Sequence, residues 1–250
     1  MVNITFEHET TKYHDTFEQI NFKFNGRNAV LVLPNGEVNG KWFFKTEYFD
    51  AFPDFQIEML NKGYCLAYIE NTNRWGLRED TDMQYRYACF LHDTAGLSKK
   101  CMTIGMSCGG MFAIKLAARY PSVVAALYLD APVVDLLSCP FDILRSHDSD
   151  AIADSEALDA LGLTMPQMLK YREHPYDMLP ELIKSRIPAI VVAGDSDSIV
   201  PFGENGKWLV DMYKKADIPI KVYIKNGCDH HPHGLADNSP IAEFAEKYYI

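Results

Sequence analysis

The sequence predicts an α/β fold in which helices cover both faces of a mostly parallel central sheet. Two observations carry this prediction. From about residue 64 onward, apolar runs typical of buried strands alternate with helical segments. Before them, residues 16–24 alternate polar and apolar side chains, and the hairpin signal Asn25-Gly26 leads into a return strand at 27–33. We therefore expect an antiparallel entry that continues into parallel strands.

The remaining elements follow one another at short spacing. After a stop at residues 34–36, the predicted strands cover residues 64–69, 101–104, 123–129, 187–193 and 218–224. The predicted helices cover residues 48–61, 79–94, 111–119, 203–216 and 239–250. Ser239-Pro240 gives the last helix an N-cap followed by proline at its first position.

One stretch interrupts the alternation of strands and helices. Residues 136–185 are rich in Asp, Ser, Pro and Met and contain two or three short helical patterns. We expect them to form a small helical cap over the carboxyl edge of the sheet. Residues 1–250 would then be a single domain that carries one cap insertion.

Composition limits the classes of partner. The 250 residues carry a net charge of −10, which argues against binding to nucleic acid or to an anionic membrane surface. The first 15 residues show no signal-peptide pattern, and no apolar run is long enough to cross a bilayer. The six cysteines are scattered without a C-x-x-C pair, as reduced thiols are. These features predict a cytoplasmic protein; they do not indicate its oligomeric state.

Ser107 has the surroundings of a catalytic nucleophile. It lies between glycines in Gly105-x-Ser107-x-Gly109, after a short apolar strand and before an apolar helix, which is the nucleophile-elbow arrangement. Such a turn raises the hydroxyl above the sheet edge and directs the amide of Cys108 at the same point. The alternative interpretation is a glycine-rich turn with a capping serine.

An acid and a base follow two later strands. Asp195 and Asp197 come directly after the strand at 187–193, and Asp197 is the better candidate because the Val200-Pro201 turn follows it closely. Asp195 is better placed to bond the loop backbone. His230 and His231 follow the last strand, and either imidazole could act as a general base. The order Ser107, Asp197, His230 is the order in α/β-hydrolases.

The loop contains more histidines than one triad needs. Asp229, His231 and His233 could share a cation in principle, but adjacent loop positions rarely face one point and the sequence has no second ligand cluster. We therefore predict no metal and no cofactor. His231 and His233 are assigned instead to the lining of the substrate pocket.

These motifs resemble the α/β-hydrolase superfamily, and in particular a bacterial esterase-like branch. The matching stretches are residues 42–48, the elbow at 105–110, the strand end at 131–135 and the histidine loop at 229–233. The chain departs from the branch pattern at Lys45, Cys108 and Asp229. The resemblance implies a serine hydrolase that acts on carboxylic esters, with acyl groups on carbohydrates as one candidate class, and it favours His230 as the base.

The expected chemistry is acyl transfer from a small-molecule ester. Ser107 attacks the carbonyl, while an N–H of Cys108 and one from the loop at Asn35 and Gly36 hold the oxyanion. Trp42 and Glu47 are predicted to line the pocket opposite the cap; for Glu47, a structural role in which it pairs with a nearby base is the alternative. Two alternatives stay open on the sequence: a serine peptidase or amidase of the same fold, and a non-catalytic binding protein. A dehalogenase or epoxide hydrolase is disfavoured because it needs an acid where Ser107 stands.

Overall fold

A computed structural model describes residues 2–141 and 151–249 of the chain, without the side chains of 151 and 152. Its strands are β1 Glu9–Tyr13, β2 Phe17–Phe24, β3 Arg27–Leu33, β4 Trp42–Lys45, β5 Cys65–Ile69, β6 Cys101–Met106, β7 Val124–Asp130, β8 Ala189–Gly194 and β9 Ile220–Lys225. Its helices are α1 Asp54–Asn61, α2 Arg78–Ala95, α3 Cys108–Arg119, α4 Ala151–Leu161, α5 Met165–Met168, α6 Pro175–Ser185, α7 Gly206–Lys215 and α8 Ser239–Tyr248.

All nine of these strands form one sheet in the order β1-β2-β3-β5-β4-β6-β7-β8-β9. β1 to β3 pair antiparallel, and the six strands from β4 to β9 run parallel to one another. The β2–β3 turn is formed by Asn25 and Gly26, both with positive φ, which is the backbone that the Asn-Gly pair favours. The sheet confirms the predicted antiparallel entry and parallel continuation.

Helices cover both faces of the sheet. On one face, apolar side chains of α2, α3, α6 and α7 pack against the strands, and on the other face those of α1 and α8 do so. The strands between these layers are buried on both sides, which explains the continuous apolar runs at β5, β6 and β8. This arrangement confirms the predicted fold class.

The structure adds two strands that the sequence pattern did not predict. β1 is short and mostly exposed, and β4 has only four residues, one of them a fully buried lysine, Lys45. The helix predicted over 48–61 begins only at Asp54, after Pro53. β4 matters most for function because it lies directly beside β6, whose end carries Ser107.

Three helices, α4, α5 and α6, lie between β7 and β8, where the sequence predicts a cap; residues 142–150 of that cap lie outside the described residues. Ala153 and Ala157 of α4 and Met168 of α5 share an apolar cluster with Trp75 and Cys108. Through this cluster, the insertion packs against Cys108, the residue that follows Ser107. Among the described residues, none of the helices combines the length and the apolar character that crossing a bilayer requires.

Candidate active site

The elbow between β6 and α3 holds Ser107 in an unusual backbone conformation. Ser107 has φ 52° and ψ −121°, a region that side chains rarely adopt. Two glycines make the turn possible. A Cβ on Gly105 would lie 2.8 Å from the Cα of Gly110, and a Cβ on Gly110 would lie 2.4 Å from the Cβ of Pro132. Small residues are therefore required on both sides of the serine.

Asp197 lies in the loop after β8 and is buried. Its Oδ1 atom accepts hydrogen bonds from the backbone N–H groups of Ile199 at 3.0 Å and Val200 at 2.7 Å. Its Oδ2 atom faces Nδ1 of His230 at 2.9 Å. The two backbone donors fix the carboxylate so that one oxygen is directed at the imidazole.

The structure brings the three predicted triad residues together. The Nε2 atom of His230 lies 3.1 Å from Oγ of Ser107, while its Nδ1 atom faces Asp197. The His230 side chain is buried, with 5% of the residue exposed. An Nδ1–H bonded to the carboxylate leaves an Nε2 lone pair directed at the serine hydroxyl, which is the tautomer that a general base needs.

The loops that carry the acid and the base are bonded to each other. Oδ1 of Asp195 accepts the N–H of Gly227 at 2.7 Å, so Asp195 has the backbone-bonding position predicted for it. From the other side, Oδ1 of Asp229 accepts the N–H of Ser198 at 2.8 Å. Hydrogen bonds from the Ser198 backbone and then the His230 backbone lower the pKa of Asp229. These contacts fix the relative positions of Asp197 and His230.

A second acid–histidine pair lies beside the first and was not predicted from sequence. Nδ1 of His233 lies 2.8 Å from Oδ1 of Asp130, at the end of β7. The other oxygen of Asp130 accepts the hydroxyl of Tyr128 at 2.9 Å and the N–H of Gly234 at 2.7 Å. The sequence signal for this pair is an aspartate, Asp130, at the end of the strand next to β6. Its partner, His233, lies 103 positions further along the chain.

His231 is the exposed member of the histidine loop. Its ring stacks on Phe52 and makes edge contacts with His230 and His233. Burial, followed by the charges of His230 and His233, lowers the pKa of His231. The predicted pocket-lining roles of His231 and His233 stay predictions.

The assignment of Asn35 and Gly36 to the oxyanion hole is wrong. They follow β3, an antiparallel strand, so their loop lies at the sheet edge opposite Ser107. The neighbouring Glu37 oxygen confirms this location, since it would lie 2.7 Å from a Cβ on Gly63, just before β5 begins. Cys108, by contrast, is the first residue of α3 and follows Ser107 directly. Its amide is therefore well placed for an oxyanion.

The loop after β4, and not the loop at Asn35 and Gly36, lies beside the elbow. A Cβ on Gly109 would lie 3.3 Å from the Cβ of Glu47 and 3.5 Å from the Glu47 nitrogen, so this loop packs against the start of α3. The side chain of Tyr48 packs against the apolar cluster that contains Cys108, and burial, followed by the neighbouring Cys108 thiol, raises the pKa of Tyr48. Tyr48 has φ 53°, which turns the chain at this point.

Polar side chains hold the loop after β4 in position. Asn71 Nδ2 donates to the Thr46 carbonyl at 2.8 Å and to Oε2 of Glu47 at 2.6 Å. Nε2 of the buried Gln84 donates to the same carbonyl at 3.1 Å. Burial raises the pKa of Glu47, and its predicted contact with substrate stays a prediction.

Trp42 does not line the pocket, so this prediction is wrong. It is fully buried at the first position of β4, and its indole N–H donates to the Ser98 carbonyl at 2.8 Å. Because the strands from β4 to β9 are parallel, the start of β4 lies at the edge opposite Ser107. Trp42 therefore belongs to the core and not to the pocket wall.

Solved structures with similar folds include esterases and peptidases. The Thermogutta terrifontis esterase Est2 is 18% identical with a TM-score of 0.60, over 90% of this chain and 91% of that one. The Pyrococcus horikoshii acylaminoacyl peptidase is 16% identical with a TM-score of 0.70, over 93% of this chain and 42% of that one. Porphyromonas gingivalis dipeptidyl peptidase 4 is 17% identical with a TM-score of 0.65, over 99% of this chain and 35% of that one.

These likenesses define the class: the chain has the α/β-hydrolase fold. It spans about a third of the length of dipeptidyl peptidase 4. Residues 62–249 match the model of the prolyl oligopeptidase family. The chain therefore belongs to the prolyl oligopeptidase family of serine hydrolases. No curated protein sequence matches it significantly.

Proposed function

We propose that this serine hydrolase is an esterase that cleaves carboxylic esters with short acyl groups. The observation that carries the proposal is the hydrogen-bonded series from Asp197 through His230 to Ser107 at the edge of the sheet. His230 takes the proton of the Ser107 hydroxyl as its oxygen attacks the ester carbonyl. Asp197 stabilises the imidazolium that forms, and water then releases the acyl group from the serine.

The oxyanion of the intermediate needs two donors. We assign one to the amide of Cys108 and the other to the phenol of Tyr48, whose side chain packs against the apolar cluster that contains Cys108. A phenol donor is polar and neutral, and its raised pKa keeps the proton on the oxygen. This assignment replaces the donor at Asn35 and Gly36.

An apolar cluster beside Ser107 supports an aliphatic acyl group over a charged one. Trp75, Cys108, Met111, Phe141 and Met168 belong to one apolar cluster that joins the elbow to the inserted helices. The Est2 structure, which is similar over most of both chains, has bound butyrate. A short aliphatic acyl group would bury its surface against side chains of this kind.

The second candidate is a peptidase. It is favoured by the family match and by the similar folds of the acylaminoacyl peptidase and of dipeptidyl peptidase 4. A substrate panel separates the two: p-nitrophenyl acetate, butyrate and octanoate against acylalanyl and Ala-Pro p-nitroanilides. We expect kcat/KM at least about 100-fold higher for the butyrate ester than for any anilide, after correction for leaving-group reactivity.

The Ser107→Ala variant, which lacks the nucleophile, is the control for each substrate. It should lose both ester turnover and labelling by a fluorophosphonate probe. Efficient anilide cleavage that depends on Ser107 would establish the peptidase instead. Ester turnover that survives in Ser107→Ala would disprove the assignment of the site.

A further inference from the structure

Three imidazoles of the histidine loop converge beside Ser107. One nitrogen from each of His230, His231 and His233 lies within 4.8 Å of the others. The three ring centroids are 4.8, 4.9 and 5.0 Å apart. The sequence argument against a metal assumed that neighbouring loop positions do not face one point. In the structure three of them do, whereas Asp229 faces Ser198 instead.

Carboxylates behind two of the rings prepare them as metal ligands. Asp197 faces Nδ1 of His230, and Asp130 faces Nδ1 of His233. An Nδ1–H held by a carboxylate leaves the Nε2 lone pair available and raises the basicity of the imidazole. This carboxylate–histidine–metal arrangement recurs around zinc ions in proteins. A catalytic triad requires one such carboxylate–histidine pair. The second pair therefore provides a further oriented imidazole that could bind a metal.

We propose that His230, His231 and His233 bind one Zn²⁺ ion and that the bound ion inhibits the enzyme. Imidazole ligands suit zinc, and three histidines with one open position are a common zinc environment. Nitrogens bound to one zinc ion lie about 3.3 Å apart, given Zn–N bonds of about 2.05 Å. The present separations, all within 4.8 Å, close by small rotations of the three rings, with His231, the exposed ring, moving most.

Inhibition follows from the role of His230 in the proposed function and rests on that role. Coordination uses the Nε2 lone pair that would accept the proton of Ser107. The serine then keeps its proton and stays a poor nucleophile. No covalent bond is broken, so removal of the ion by a chelator restores the base.

Direct binding tests the site without reference to activity. Zn²⁺ is titrated into the purified chain by calorimetry, and Co²⁺ is added separately to record the visible absorption of a low-coordinate site. We expect one ion per chain, with affinity at least about tenfold weaker in His231→Ala and His233→Gln. His231→Ala removes an exposed ring and should leave the fold intact by circular dichroism. His233→Gln keeps an amide donor for Asp130.

Two variants exclude other ligands. His8→Ala removes an exposed histidine far from the loop in sequence, and Cys228→Ser removes the thiol nearest to the loop in sequence. Both should bind zinc as the unaltered chain does. Absence of saturable binding below about 100 µM Zn²⁺, or equal affinity in His231→Ala, would overturn the site.

The activity measurement is made separately on each variant against its own zinc-free rate. We expect Zn²⁺ to inhibit turnover of whichever substrate the enzyme cleaves, and EDTA to restore it. The concentration for half-inhibition should rise at least about tenfold in His231→Ala. Binding without inhibition of an active enzyme would overturn the inhibitory role. Binding to a chain that cleaves no ester would instead support the metal site and count against the proposed esterase.

Discussion

The Nε2 atom of His230 lies 3.1 Å from the hydroxyl oxygen of Ser107, although 123 positions separate the two residues. The contact forms because β6, β8 and β9 run parallel and end at one edge of the sheet. The loops after these strands carry Ser107, Asp197 and His230 respectively. A change at any of the three strand ends therefore acts on the same hydrogen-bonded series.

Asp197→Asn should lower kcat by about 10⁴-fold with a small change in KM, because an amide cannot hold His230 in the required tautomer. Asp195→Asn is the matched control, since Asp195 bonds Gly227 and Ser196 and not the imidazole. Steady-state kinetics on p-nitrophenyl butyrate measure both. A larger loss in Asp195→Asn would move the acid assignment to that residue.

Tyr48→Phe should lower kcat by about 100-fold, since it removes one oxyanion donor and leaves the ring in place. Tyr64→Phe is the control, because Tyr64 precedes β5 at the opposite edge of the sheet. The two variants are compared by kcat and by thermal melting. An unchanged kcat in Tyr48→Phe would assign the second donor to the backbone of the loop after β4.

Gly110→Ala should destabilise the fold by about 2 kcal/mol or more, because the new Cβ would lie 2.4 Å from the Cβ of Pro132. Gly109→Ala is the comparison, since its Cβ would meet Glu47 at 3.3 Å, a contact that a small shift relieves. Urea denaturation gives the free energy of unfolding of each. Equal stabilities would show that the elbow can move away from Pro132.

Lys115 should make stability depend on pH above neutrality. Its amine is fully buried and donates to the Gly76 carbonyl at 2.7 Å, and burial lowers its pKa from 10.5 to about 7. Between these values the unfolded chain binds one more proton than the folded chain. The contribution of Lys115 to the free energy of unfolding therefore rises with pH, by about 1 kcal/mol per unit between pH 7 and 9.5.

Lys115→Met should reduce that slope, and Lys215→Met, at an exposed position, should not. Urea denaturation of the three proteins at several pH values measures the difference between slopes. The comparison stops near pH 9.5 because buried tyrosines such as Tyr13, whose pKa burial raises, act in the opposite direction at higher pH. Parallel curves for all three proteins would show that Lys115 stays charged in the fold.

Sequence patterns predicted the parts of the fold with a local signal. Asn25-Gly26 fixed the β2–β3 hairpin, and the apolar runs located β5 to β9 to within two residues at either end. β4 was missed because it has four residues and ends in a lysine that the fold buries. Only tertiary contacts, from Lys45 Nζ to the Ala51 carbonyl and to Gln56, explain a buried lysine there.

The errors at the site follow from that missing strand. Without β4, the sequence pattern predicts that the loop at Asn35 and Gly36 is the neighbour of Ser107, although β3 runs the other way. The Asp130–His233 pair was missed for a different reason. A contact between residues 103 positions apart depends on the order of strands in the sheet, which one sequence does not specify.

The hydrogen bonds between the loop after β8 and the loop after β9 have a consequence for how this scaffold can be altered. Asp195 with Gly227, and Ser198 with Asp229, join the two loops directly. Because α6 packs in the main core, α4 and α5 are the helices to exchange or redesign for a different acyl group while acid and base keep their spacing. Engineering of new substrate preference is best confined to these two helices.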